Sequence, residues 1–149
     1  MKLNLLFLIL LMSSCIDFPE SQFYVTPELE GYYNNFKKEA ELRGMIIPDH
    51  NLIMVLTDGY ALENGGNAIY KKGVHQDYIY VEREHFKKRG ILIEMTVFHE
   101  LGHAKLGRGH SSGWSLMNYQ ISGGQSWPMC YGEPCSGLLI DELFGFKNR

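Results

Sequence analysis

Three histidines and one glutamate lie within residues 99–110, and their spacing constrains the fold more than any other feature of the chain. His99 and His103 are four residues apart, and Glu100 directly follows His99. On an α-helix, positions four apart share a face, so both imidazoles can point toward one metal ion. Glu100 lies about 100° round the helix, where its carboxylate can reach a water on that ion without displacing it. The spacing therefore favours a helix through this segment.

The surrounding sequence supports a helix over residues 91–106. Apolar residues recur at helical spacing, as expected for a packed helix: Ile91, Met95, Phe98 and Leu101. Gly90 is a plausible start, and Gly107 is a plausible stop in the left-handed conformation. The alternative is a core helix with two ordinary histidines, but that interpretation leaves the downstream His110 and Met117 unexplained.

A hydrolytic zinc site needs a third protein ligand from outside this helix, because it has three protein ligands and one open position. His110 follows the predicted helix end closely, and Gly107 and Gly109 permit a sharp reversal toward the metal. Asp141 and Glu142 in the C-terminal tail are the alternatives. We favour His110 because it is near in sequence and because the glycines suit a turn.

The order of histidine–glutamate helix, Gly107, His110 and the Met117-containing turn resembles the metzincin clan of zinc endopeptidases. Their usual pattern is H-E-x-x-H-x-x-G-x-x-H, and here the glycine and third histidine each fall one residue later. The extra residue requires a longer last turn or a bulge. The form His-Glu-Leu-Gly-His-x-x-Leu-x-Arg-x-His resembles small bacterial lipoproteins classed as metallopeptidases. The resemblance implies that Met117 forms an apolar floor beneath the metal.

The same resemblance implies a Zn²⁺ cofactor, hydrolysis of peptide bonds in a peptide or protein substrate, and Glu100 as the general base. Tyr119 follows Met117 by two residues. In astacin-like and serralysin-like metzincins, a tyrosine at this place binds the metal weakly or stabilises the oxyanion. A partly buried loop tyrosine is the other interpretation of Tyr119, and both remain open.

Residues 1–14 have the features of an export signal. Lys2 is the charged start, and residues 3–12 form an apolar run, interrupted only by Asn4, that is too short to span a bilayer. The sequence Leu-Met-Ser-Ser before Cys15 resembles a bacterial lipobox, which implies lipidation at Cys15. We therefore expect an exported, lipid-anchored membrane protein that faces the periplasm or the cell exterior. The alternative is a plain secretory signal cleaved near Ser14.

The charge and the cysteine content limit the partners and the cysteine chemistry that we expect. Without residues 1–14 the chain keeps 13 basic and 17 acidic residues, a net charge of −4. It has no stripe of basic residues, so we expect no nucleic-acid partner. We also expect the protein to be a monomer. In an oxidising compartment, Cys130 and Cys135 are expected to form a disulfide. A metal-binding cysteine pair is the alternative.

The remaining pattern predicts an α+β fold: residues 15–27 as a tether, then one domain over residues 28–149. Helices are expected at residues 28–43, 84–89 (one turn) and 138–146, and strands at residues 52–57, 68–72 and 78–82. The last two strands form a hairpin through a loop that contains Gly73. Residues 111–137 lack periodicity. The resemblance implies a minimal zincin-like arrangement, with a small twisted sheet packed on the active-site helix and a C-terminal helix.

Three further interpretations complete the expectations. His50, His75 and His85 lack ligand spacing and are expected at the surface or in turns. An extended substrate peptide would pair with either residues 68–72 or residues 78–82, and the sequence does not choose between them. The competing functions are a non-catalytic, zinc-stabilised exported lipoprotein that acts as a binding module, and a module whose ancestral site has decayed.

Overall fold

The computed structural model describes residues 21–64, 66–88, 90–113, 115–118, 129–130, 133–134 and 136–145. The expected export signal over residues 1–14, the lipidation site Cys15 and the candidate site residue Tyr119 lie outside the described residues. The expected disulfide also lies outside them, because Cys135 and the side chain of Cys130 are not described.

The described residues form an α+β domain. In chain order its elements are β1 (Phe23–Val25), α1 (Pro27–Leu42), β2 (Leu52–Thr57), α2 (Tyr60–Glu63), β3 (Ala68–Lys72), β4 (Asp77–Glu82), α3 (Arg83–Lys88), α4 (Gly90–Leu106), β5 (Met129–Cys130), β6 (Glu133–Pro134) and α5 (Ser136–Leu143). The coarse fold class expected from the sequence is confirmed. None of the helices within the described ranges combines the length and apolarity needed to cross a bilayer.

Four strands form one mixed sheet in the order β1-β2-β4-β3. β1, β2 and β4 are parallel, whereas β3 runs antiparallel to β4 and lies at the edge of the sheet. The predicted β3–β4 hairpin is confirmed. Its loop requires glycine at position 73, because a Cβ there would lie 2.3 Å from the carbonyl oxygen of Gln76. Of the two strands considered for peptide pairing, β4 has a neighbour on each side, whereas β3 pairs only with β4 among the described residues.

The N-terminal boundary differs from the sequence prediction. The tether was expected to extend through residue 27, but Phe23–Val25 pair in parallel with Leu52–Met54 as β1. Pro27 then opens α1 at a position where its missing N–H is not needed. The prediction is therefore wrong over residues 23–27. A three-residue strand is too short to show a period-two pattern, and prolines 19 and 27 on either side suggested irregular chain.

The core lies between the sheet and helices α1 and α4. Phe36 of α1 meets Phe98 of α4 edge-on, with ring centroids 5.2 Å apart, and it also contacts Phe144 after α5 at 5.1 Å. All three side chains are buried. The inward residues of the sheet complete this core: Leu52, Met54, Ile79 and Val81. The helix that carries the histidines is therefore fixed from both sides.

The prediction for His85, which lies on α3, is wrong. His85 was expected at the surface or in a turn, but it is only 6% exposed and lies 3.4 Å from the Thr96 hydroxyl. His50 and His75 are exposed, as expected. The difference arises because α3 packs against α4 and β4, a contact that six residues of sequence do not reveal.

Candidate metal centre

Helix α4 and the loop after it bring three imidazoles together. The Nε2 atoms of His99, His103 and His110 form a triangle with sides of 3.2 Å (99–103), 3.1 Å (103–110) and 3.3 Å (99–110). Imidazole nitrogens bound about 2.0–2.1 Å from a tetrahedral zinc ion are separated by about 3.3 Å. The three histidines therefore lie close enough to bind one metal ion.

Hydrogen bonds on the far side of two rings set the tautomer that a metal requires. His99 Nδ1 lies 2.7 Å from the Leu116 carbonyl oxygen, and His103 Nδ1 lies 2.6 Å from the Arg108 carbonyl oxygen. A carbonyl only accepts, so each Nδ1 carries the proton and donates it. Each Nε2 then presents a lone pair to the centre of the triangle.

The end of α4 shows how the one-residue offset is absorbed. Gly107 adopts a left-handed conformation with φ of 63°, and the backbone N–H of Arg108 donates to the carbonyl of Gly102, 3.0 Å away and six residues back. A standard helical hydrogen bond spans four residues. The extra residue therefore lies in a widened last turn, and the chain still returns His110 to the helix histidines.

Met117 lies directly against α4. It is fully buried, and a Cβ on Gly102 would come within 2.6 Å of its sulfur atom. The glycine within the His-Glu-Leu-Gly-His segment thus leaves the space that the thioether fills. This contact places Met117 against the helix turn between His99 and His103.

Glu100 is a buried carboxylate one residue after the first histidine. Its side chain accepts a hydrogen bond from the backbone N–H of Tyr70 on β3. Burial raises the pKa of Glu100 to about 7, and the Tyr70 hydrogen bond only partly opposes this shift. A carboxylate with this pKa can take up and release a proton near neutral pH.

Exposure increases across the triangle: His99 is buried, His103 is half-buried and His110 is exposed. Burial lowers the pKa of His99 to about 4, and it lowers the pKa of His103 as well. Neutral imidazoles are the form that binds metal. His110 is therefore the solvent-facing corner of the triangle.

The two acidic alternatives for the third ligand are engaged elsewhere. Asp141 pairs with Arg43 at 2.5 Å, and Glu142 pairs with Arg108 at 2.5 Å. Neither belongs to the cluster of potential ligands found among the described residues, whereas His110 does. The structure therefore brings His110, rather than either carboxylate, next to His99 and His103.

Three residues near the centre had no role in the sequence interpretation: Tyr70, Arg108 and Ser115. Glu142 was considered only as a third metal ligand, not as the partner of Arg108 and Ser115 that the structure shows. The Tyr70 ring stacks on His103 at 5.8 Å and 15°, so β3 contacts the helix through both ring and backbone. Of these, only Arg108 could have been identified from the sequence, because it belongs to the Leu-x-Arg-x-His run. The contacts of the others depend on strand and helix packing, which spacing along one chain does not encode.

No family model, curated protein or solved structure was found to match this chain.

Proposed function

We propose that the chain is a zinc-dependent metalloendopeptidase with a zincin-like fold. One observation carries the proposal: three imidazole nitrogens lie 3.1–3.3 Å apart, and the next residue after His99 is a buried carboxylate. A purely structural site has no need of a titratable carboxylate beside its ligands, whereas a hydrolytic site requires a base.

The donor set suits zinc. Neutral imidazoles are intermediate ligands that zinc accepts readily, and three of them are a ligand set of catalytic zinc. His99, His103 and His110 would hold the ion. When bound, it would polarise the substrate carbonyl and lower the pKa of water toward neutrality.

Glu100 would perform the proton transfers. With its pKa near 7, its ionised form can accept a proton from the attacking water. The protonated form can then donate that proton to the leaving amine, which restores the carboxylate. The hydrogen bond from Tyr70 orients the carboxylate for both steps. We retain Tyr119 as a candidate for stabilising the oxyanion, on resemblance alone.

The edge strand β3 is the proposed position of an extended substrate. Hydrogen bonds between Glu82 and Asn67 and between Gly73 and Gln76 set the hairpin register. In this register, the backbone groups of Ala68, Tyr70 and Lys72 point away from β4. Since Glu100 takes the Tyr70 N–H, peptide pairing is expected at the other outward-facing groups.

Zinc content and cleavage test the proposal together. The full-length chain should contain about one zinc per molecule and cleave a peptide library, with a chelator abolishing cleavage. Glu100→Gln should keep the metal and lose at least about 100-fold in turnover, because the general base is gone. The matched control is Glu94→Gln, a glutamate on α4 whose side chain accepts a hydrogen bond from Asn35 at the surface.

Two outcomes would contradict this function. Wild-type turnover in Glu100→Gln would remove the general-base role. A chain that binds zinc but cleaves no peptide would favour the non-catalytic, zinc-stabilised binding module. We also propose export and lipid anchoring, on the apolar run and Cys15. Recovery of the chain in a soluble fraction without detergent would contradict the anchor.

A further inference from the structure

We infer that Glu142 is a positioning residue for the metal centre, acting from α5 through the loop of residues 107–118. One oxygen of its carboxylate bonds Arg108 and the other bonds Ser115. These two segments supply the carbonyls that hold the rings of His99 and His103. The inference rests on the proposed metal centre and extends it beyond the ligands.

The first connection runs through Arg108. Its Nη2 donates to Glu142 Oε1 at 2.5 Å, and its Nη1 donates to the carbonyls of Glu142 and Leu143 at 3.2 Å each. The guanidinium is therefore fixed to the end of α5 by three acceptors. The backbone carbonyl of the same arginine accepts the His103 Nδ1 proton at 2.6 Å. Holding Arg108 thus holds the acceptor that orients His103.

The second connection runs through Ser115. Its hydroxyl donates to Glu142 Oε2 at 2.6 Å and accepts the backbone N–H of Met117 at 3.1 Å. Between these two residues, the Leu116 carbonyl accepts the His99 Nδ1 proton at 2.7 Å. Ser111, next to His110, donates its N–H to the Met117 carbonyl at 3.2 Å. The serine therefore fixes the turn that orients His99.

The described residues of this loop lie outside the helices and strands, so its conformation depends on individual contacts such as those of Glu142. Its described residues form turns and bends with a few backbone hydrogen bonds, and the contacts of Glu142 with Arg108 and Ser115 add to these in placing the Arg108 and Leu116 carbonyls. Hydrogen bonds to a carboxylate are roughly twice as strong as neutral ones. Loss of outer partners of metal ligands typically lowers metal affinity 10–100-fold. Glu142 serves two such partners at once.

A substitution at Asp141 can distinguish a positioning role of Glu142 from a general role in attaching α5 to the domain. It precedes Glu142 on the same helix, and its carboxylate pairs with Arg43 of the α1 C-terminus at 2.5 Å. The Asp141 and Glu142 side chains are similarly exposed, 35% and 33%. Both ion pairs attach α5 to the domain, but no hydrogen bond of Asp141 reaches the loop within the described residues. Asp141→Asn is therefore the matched control.

The experiment titrates the metal-free full-length chain with Co²⁺, then with Zn²⁺ in competition. We compare wild type, Glu142→Gln, Glu142→Ala, Ser115→Ala and Asp141→Asn. Each titration records the Kd and the visible d–d absorption of bound Co²⁺, which reports ligand geometry. Thermal unfolding of the metal-free proteins records the contribution of each side chain to stability alone.

We expect Glu142→Ala to weaken Co²⁺ and Zn²⁺ binding about 10–100-fold and to change the d–d spectrum. Glu142→Gln and Ser115→Ala should cause smaller changes of the same kind. Asp141→Asn should lower the unfolding temperature while leaving Kd and spectrum as in wild type. If Glu142→Ala does not fold, Glu142→Gln and Ser115→Ala decide.

Two results would overturn the inference. If Glu142→Gln and Ser115→Ala bind Co²⁺ with the wild-type Kd and spectrum, the proposed metal centre stands but Glu142 does not position it. If the folded wild-type chain binds neither Co²⁺ nor Zn²⁺, the metal centre and the role of Glu142 both fail.

Discussion

Helices α1 and α4 lie side by side in the same core but are buried in different ways. α1 buries one face, formed by Leu29, Tyr33, Phe36 and Ala40 at helical spacing. α4 is buried at every position from residue 95 to residue 102. The first arrangement is an ordinary amphipathic helix. The second includes a histidine and a glutamate, which are costly to bury unless they have partners.

This difference in burial between α1 and α4 predicts which property a substitution in each helix will change. The charged side chains of α1 remain near solvent, where Lys37 pairs with Asp49 at 2.8 Å. In α4, buried His99 bonds a backbone carbonyl and buried Glu100 accepts a backbone N–H. Substitutions in α1 should therefore change the free energy of unfolding. Substitutions at the proposed metal ligands of α4 and its loop should change metal affinity instead.

The largest effect on stability is expected at the contact between the two helices. Phe36→Ala should lower the free energy of unfolding by about 3–5 kcal/mol, because it removes a fully buried ring that packs on Phe98. Urea unfolding measures this change. Leu42→Ala, on the same helix but 71% exposed, is the control and should cost less than about 0.5 kcal/mol. Equal costs at both positions would show that this core does not support α1.

A smaller change, in the free energy of metal binding, is expected at His110, the proposed third ligand. His110→Ala should weaken Zn²⁺ binding at least about 100-fold, or about 2.7 kcal/mol, since one of three ligands is lost. The metal-free variant should unfold near the wild-type temperature, because His110 is exposed. Competition titration measures the affinity, and His50→Ala provides an exposed-histidine control. Unchanged zinc affinity in His110→Ala would remove this residue from the ligand set.

The smallest effect on stability is expected at the surface ion pair between Lys37 of α1 and Asp49. The hydrogen bond from Lys37 holds the pKa of Asp49 below its usual value, so the folded state favours the ionised form. The resulting stability is present above about pH 4 and is lost as the pH falls through the lowered pKa. Asp49→Asn should cost less than about 1 kcal/mol at pH 7, because this carboxylate is 47% exposed.

Urea unfolding at pH 7 and pH 3 measures this pH dependence. The difference between wild type and Asp49→Asn should shrink at pH 3, because this pH lies below the ordinary pKa of an aspartate and the unfolded chain takes up the proton first. Lys37→Met removes the same pair from the other side and should show the same pH dependence. A difference that grows as the pH falls would contradict the assigned sign.

Much of the fold was predictable wherever the pattern is local. The spacing of apolar residues gave α1 and α4 to within a few residues, and the glycine loop gave the β3–β4 hairpin. Strand β1 was not predictable because its partner β2 lies beyond α1 in the chain, and the burial of His85 was not predictable because it depends on how α3 packs against α4 and β4. Short elements contain too few residues for their periodicity to indicate a buried side.

The sequence by itself determined that His99 and His103 share a helix face, since a four-residue spacing has that consequence on any α-helix. It also indicated that Gly107 ends the helix. Only the tertiary structure decided that His110 completes the triangle while Asp141 and Glu142 form ion pairs. It alone placed the Arg108 and Leu116 carbonyls behind the rings. A ligand beyond a helix end is positioned by the packing of its loop, and that packing depends on α5, some 25–35 residues further along the chain.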